Sequence, residues 1–111
     1  MIEKTMLEFL KAALPVPVYL EEPKSPPASY VIFERTSGGE YYGLRQSTIA
    51  FQSYGATMYK AAELNEKVKA AVARAIELND IARVELNSDY NFTDTKTRRY
   101  RYQAVFDFNH Y

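Results

Sequence analysis

The sequence predicts an α+β fold, a two-layer sandwich with two helices packed on one face of a mostly antiparallel sheet of about four to five strands, in a single domain over residues 1–111. Three observations predict it. Stretches with helical and strand periodicity follow one another as helix, short strand, two strands, long helix, two strands, an order that segregates helices to one side of a hairpin-built sheet. The closing stretch TDTKTRRYRYQAVFDFNHY alternates aromatic and polar residues along most of its length. With 111 residues the chain can bury roughly two thirds of the surface its unfolded form exposes, enough for one core, and no internal repeat divides it.

Each element has its own warrant. Ile2, Met6, Phe9, Leu10 and Leu14 recur at spacings of three and four, with Glu3, Lys4, Glu8 and Lys11 between them, so residues 2–14 read as an amphipathic helix ended by Pro15. Val16 to Leu20 is a short strand whose prolines cannot donate to a ladder, which assigns it to a sheet edge, and KSPPAS (24–29) is a stiff loop. Tyr30 to Thr36 is β-branched and aromatic, TSGGEYYG (36–43) carries the glycines of a hairpin loop, and Leu44 to Tyr54 is the returning strand. In that strand Ile49 and Phe51 mark the core side, while Gln46, Thr48, Ala50 and Gln52 mark the other. From Thr57 to about Asn79 the chain is rich in Ala, Glu, Lys and Leu, with an apolar stripe through Met58, Ala61, Leu64, Val68, Ala71, Val72, Ala75 and Ile76. A fourth strand, Ile81 to Asn87, an irregular connection SDYNFTDTKT (88–97) and the long closing strand complete the chain. Strand order stays open, including a parallel pairing across the long helix.

Composition narrows the function. Lys plus Arg number 14 and Asp plus Glu number 14, so no net charge draws the chain to nucleic acid or anionic membranes. The absence of cysteine excludes disulfides and thiol chemistry. The amino-terminal stretch, broken by Glu3, Lys4, Glu8 and Lys11, reads as neither a signal peptide nor a membrane span, so the expectation is a soluble protein that is not exported by that route. Ten tyrosines without a tryptophan suit surfaces that are wet in one state and buried in another.

No catalytic constellation stands out. The only histidine, His110, is next to last and is expected to be a solvated tail residue, and with no cysteine there is no His-rich or Cys-rich metal set. Glu21 and Glu22 are an adjacent pair whose side chains diverge, Gly38 and Gly39 read as turn residues, and Asp89, Asp94 and Asp107 lack an evident cleft. The expectation is a protein that is not an enzyme and has no cofactor. Lys96, Arg98, Arg99 and Arg101 interleave with Tyr100 and Tyr102 as in single-stranded nucleic-acid platforms, but alternation sends the rings and the charges to opposite faces. Arginines paired with acids on a neighbouring strand or subunit are the plainer reading.

VYLEEPKSPPASYVIFERTSGG, STIAFQSYGATMYKAAELNEKV and YNFTDTKTRRYRYQAVFDF, together with the order of elements, resemble the small tail terminator (tail completion, or head–tail joining) proteins of long-tailed bacteriophages and prophages of Gram-positive bacteria. The resemblance covers nearly the whole chain, and its most specific pieces are Ile49 to Ala62 and the closing YRYQAVF. It implies a non-enzymatic virion part at the head–tail junction, made in the host cytoplasm. Copies would close into a ring, commonly a hexamer, on the end of the tube built by the major tail protein, stop polymerisation and dock the head connector, with genome DNA passing through unbound. A connector stopper or minor capsid protein of the same joint, or a small nucleic-acid-binding domain, are the alternatives.

A ring of identical chains needs two different adhesive surfaces on each monomer. Tyr41 and Tyr42, and Tyr90 and Phe92, are candidates for these interface positions, or else they fold back as caps over the core edges. The polar rows Gln46, Thr48 and Gln52 with Arg99, Arg101 and Gln103 are candidates for lining the bore or the subunit seam.

Overall fold

Ile2, Met6 and Leu10 fall one helical turn apart, and in the computed structural model, which describes residues 1–111, they form the buried stripe of helix α1 (Ile2–Ala13). Glu3 in its first turn and Lys11 in its last complement the helix dipole. Leu14 is extended, and Pro15 follows. Strand β1 is shorter than the expected Val16–Leu20: only Val18–Tyr19 pairs, in parallel, with Val31 and Ile32 of β2 (Tyr30–Tyr41). Pro15 and Pro17 have no N–H to extend that ladder, although the Pro17 carbonyl accepts from Val31 N–H at 3.0 Å.

The expected loop over 36–43 is mostly strand. β2 runs to Tyr41, and only Tyr42 and Gly43 separate it from β3 (Leu44–Gly55). Both turn residues take positive φ, 50° and 78°, which the tight two-residue hairpin of twisted strands requires. Gly38 and Gly39 therefore sit in the strand, and the register shift between Arg35 and Ser37 absorbs Thr36 as a bulge.

The Thr57 hydroxyl accepts from Lys60 N–H at 3.1 Å and caps α2 (Met58–Ala73), which continues as a 3-10 turn over Arg74–Glu77. β4 extends to Ile81–Asn91, four residues past the expected end, because a second bulge between Leu86 and Ser88 breaks the alternation that would have announced it. Only the loop 92–99, closed by a bridge between Asp94 and Arg99, separates it from β5 (Tyr100–His110).

The sheet order is β1-β2-β3-β5-β4. β5 lies between β3 and β4 and is antiparallel to both, so the single parallel contact is β1 with β2 and not a pairing across α2. Both helices cover one face, where Phe33, Phe51, Phe106 and Phe108 meet Met6, Leu10, Val68 and Val72 in one cluster. Phe51 sits at its centre, 5.4 Å from Phe33 and 5.9 Å, edge-on, from Phe106 between ring centroids. No helix is long and apolar enough to cross a membrane.

His110 departs from the expected solvated tail. Its parity places it with Phe106 and Phe108 on the helix-covered side, where it is 4% exposed and its Nε2 lies 2.8 Å from the Ser47 hydroxyl. Burial, with the charges of Arg45 and Arg35, holds its pKa below the ordinary 6.5. The unfolded chain therefore binds the proton first, and stability present above pH 6.5 is lost as the pH falls toward the lowered folded value. We predict that melting temperature falls from pH 7 to 5, with a limiting slope of about 1.4 kcal/mol per pH unit. His110→Gln should flatten this window; an unchanged pH profile in that variant would contradict the assignment.

Gly55, at the end of β3, lies against the first turn of α2. A Cβ there would stand 2.5 Å from the Ala61 nitrogen and 2.8 Å from the Lys60 carbonyl carbon, backbone atoms that cannot swing aside. Gly55→Ala should cost about 1–3 kcal/mol in urea unfolding by overpacking, and wild-type stability would show that α2 is free to shift.

Candidate functional site

The strand register decides what the uncovered face carries. Ile49, Phe51 and Ser53 of β3 point to the helices with Phe106, Ala104 and Tyr102 of β5, so Thr48, Ala50, Gln52 and Tyr54 point away with Asp107, Val105, Gln103 and Arg101. All six polar-row residues, Gln46, Thr48, Gln52, Arg99, Arg101 and Gln103, lie on this face. Only one corner of it is covered, by the segment that leads from β1 to β2.

Most of these side chains are already engaged. Gln52 donates to Gln103 Oε1 at 2.9 Å, Gln103 donates to the Tyr90 hydroxyl, and the Tyr54 hydroxyl donates to Gln52 Oε1 at 3.2 Å. Thr48 donates to Asp107 at 2.8 Å, and Asn87 reaches the other Asp107 oxygen at 2.9 Å. Arg101 bonds the Phe92 carbonyl at 2.7 Å and the Tyr54 hydroxyl at 2.9 Å. Its guanidinium also lies 4.4 Å from the Phe92 ring centroid. Gln46 remains exposed at the other end of the face.

A second cluster ties down the covered corner. Tyr30 and Tyr54 stack with ring centroids 4.4 Å apart and planes 3° from parallel, and the Arg99 guanidinium sits 5.0 Å over Tyr54. Arg99 donates to Glu22 and to the Tyr30 hydroxyl, and that hydroxyl donates to Glu22 Oε1 at 2.8 Å. Burial, reinforced by the bond to Glu22, pushes the Tyr30 pKa up to about 12. Partial burial raises the Glu22 carboxyl, but the Arg99 and Tyr30 bonds and the two arginine charges outweigh it and leave the pKa lowered. Nothing local in the sequence pairs Glu22 with Arg99; Tyr54, by contrast, shares its parity with Gln46, Thr48 and Gln52.

The four candidate interface aromatics occupy opposite ends of this sheet. Tyr41 and Tyr42 form the tip of the β2–β3 hairpin, 65% and 90% exposed, and touch each other edge-on at 4.4 Å without folding onto the core. Tyr90 and Phe92 lie where β4 meets the loop, 42% and 40% exposed and 6.0 Å apart, covering Gln103 and Arg101 rather than the apolar core. From Leu44 to Ser53 along β3 the ends are separated by roughly 30 Å of strand.

The carboxylates are dispersed. Asp89 bonds Asn65 at 2.7 Å and Lys69 at 2.6 Å, joining β4 to α2, and these bonds to Asp89 and Glu66 raise the Lys69 pKa. Asp94 accepts from Lys96 and Thr97 backbone N–H groups within its own loop, and Asp107 serves Thr48 and Asn87. No three His, Cys, Asp or Glu residues gather closely enough to hold a metal ion. The hollows on the open face, ≈ 290 and ≈ 320 Å³, are lined by no histidine or cysteine, and their one hydroxyl–carboxylate contact, Thr48 to Asp107, shares its carboxylate with Asn87. What this arrangement offers is a polar, internally bonded surface with two aromatic ends. No protein-family model and no curated protein matches the chain's sequence.

Arg99 is the link between the covered corner and the sheet. Replacing it by Gln should accelerate trypsin cleavage after Lys24, with less than about 1 kcal/mol lost from global stability because the ion pair is partly exposed. An unchanged cleavage rate would mean that the prolines and the Tyr30 bond to Glu22 hold the segment without Arg99.

Proposed function

We propose that the chain is a non-enzymatic virion assembly protein that closes as a ring of identical copies, most simply a hexamer, on the end of a phage tail tube. There it stops tube polymerisation and offers its other side to the head connector. The observation that carries this reading is one polar sheet face, backed by both helices and bounded at opposite ends by exposed aromatic pairs.

In such a ring the polar face lines the bore. DNA that has to slide needs a wall that is wetted but not adhesive, since every added phosphate contact raises affinity. Here Arg99 is neutralised by Glu22, Arg83 by Glu85, and Asp107 and Glu34 add negative charge elsewhere on the same face as Arg101. The tyrosine tip at one end and the Tyr90–Phe92 end at the other give two separate contact surfaces, one toward the tube and one toward the connector. Aromatic side chains of this kind concentrate binding energy in few residues.

Light scattering of the purified chain, alone and with tail tubes, should report a closed oligomer or capture on tube ends. In a phage or prophage that carries this sequence, its deletion should give tubes that run past their normal length without heads. Normal tubes lacking only heads would favour a connector stopper instead. Tyr41→Ser with Tyr42→Ser should weaken joining on the order of tenfold or more, as expected when about 2 kcal/mol is lost at an aromatic hot spot, with melting temperature unchanged. Reversing Arg99 and Arg101 to Glu should impair ring formation or joining; full infectivity would remove both residues from the reading.

A further inference from the structure

The sheet has two long open edges. β1 pairs only with Val31 and Ile32, so the outer edge of β2 is bare from Phe33 to Tyr41. On the other side β4 pairs only with β5, and its outer edge is bare from Ile81 to Asn91. Apart from the Ile81 N–H, which donates to the Leu78 carbonyl at 3.1 Å, no hydrogen bond from a loop or side chain of the chain satisfies the outward N–H and C=O groups along either stretch. Monomeric proteins blunt such edges with lysine and other charges, proline, bulges or very short strands. Neither Phe33–Tyr41 nor Ile81–Asn91 contains a lysine or a proline. The bulges of β4 leave Arg83 to Leu86 regular between them.

The two edges fit each other. β2 and β5 run one way and β3 and β4 the other, so β4 of one copy meets β2 of a copy in the same orientation as an antiparallel pair. Followed through the ladders, Ile81 lies level with Glu40, Arg83 with Gly39, Glu85 with Ser37, and Asp89 with Phe33. The free span of β2 thus has a free span of β4 at the same height, and β1 begins only where that span ends. Gly38 and Gly39 leave this part of β2 without side chains to obstruct a neighbour. A two-fold pairing of β4 with β4 would satisfy one edge per copy and leave the other bare; only the head-to-tail pairing uses both edges of every copy and can close.

We infer that copies of this chain join by β-augmentation, the outer edge of β4 hydrogen-bonding to the outer edge of β2 of the next copy. The sheets then form one continuous ladder, with every helix layer on one side and every polar face on the other. This rests on the ring reading and adds which surfaces make its seam, leaving the aromatic tips free for other partners.

The absence of cysteine makes the seam directly testable. Opposed residues in an antiparallel pair are close enough for a disulfide. Ser37→Cys is combined in turn with Arg83→Cys, Glu85→Cys or Asn87→Cys, which allows for a shift of register, and the concentrated purified protein is oxidised. At least one double variant should give a reductant-sensitive ladder of multimers, whereas each single variant alone should stay unlinked and an equal mixture of two complementary single variants should give a linked dimer. Hydrogen exchange at Phe33–Tyr41 and Ile81–Asn91 should slow on assembly by tenfold or more. A closed oligomer in which no edge pair links and both edges keep exchanging would overturn the inference while the ring reading stands. Self-linking of a single variant would overturn it in favour of a two-fold pair. A chain that stays monomeric at every concentration also overturns it, and the ring reading is then judged by tube length alone.

Discussion

The pairing of β3 with β5, from Arg45 opposite His110 to Gly55 opposite Tyr100, is the constraint on which the other features depend. Side chains alternate along a strand, so this one register sends Ile49, Phe51, Phe106 and Phe108 beneath the helices and Thr48, Gln52, Arg101 and Gln103 to the open side. A slip of β5 by one residue against β3 would turn Phe106 and Phe108 to the open side and carry Arg101 and Asp107 beneath the helices. The phenylalanine cluster around Phe51 therefore stabilises the core and, through the backbone, fixes the composition of the opposite surface. The polar face, bonded within itself across the strands, keeps its orientation as long as the core keeps its packing.

That opposite surface is chemically quiet. Its amides, hydroxyls and one carboxylate satisfy one another in rows across the strands, and its arginines lie on aromatic rings or against Glu22. Groups already bonded within the chain gain little by binding a passing anion, because the new bond replaces an existing one. Such a wall suits passage better than capture. The surfaces proposed to be adhesive lie elsewhere, in the exposed tyrosine tip and along the bare backbone edges of β2 and β4. In the proposed ring this separates the three tasks of one small chain: joining its copies, contacting its axial partners and leaving a neutral channel.

Much of the fold could be read from the residues because two periodicities are strong. The spacing of Ile2, Met6 and Leu10 and the alternation from Tyr100 to Phe108 each name one structure, and the shared face of Gln46, Thr48, Gln52, Arg101 and Gln103 follows from parity alone. The failures fall where local chemistry gave a misleading sign. Gly38 and Gly39 suggested a loop, but the turn is made by Tyr42 and Gly43, and a tyrosine at positive φ has no clear sequence signature. The bulge at Asn87 broke the alternation of β4 and hid its last turn of pairing. The place of His110 near the chain end suggests solvent exposure, whereas its parity with Phe106 and Phe108 marks it as buried. The bond between Glu22 and Arg99 spans most of the chain and could come only from the folded structure.

The most direct test of this account is an image of the assembled oligomer by electron microscopy at a resolution that separates helices from sheet. The account predicts an annulus with α1 and α2 on its outer side and Gln52, Gln103 and Thr48 around the central hole. An annulus with the helices facing the hole, or a compact assembly whose polar faces are pressed together with no passage between them, would contradict it.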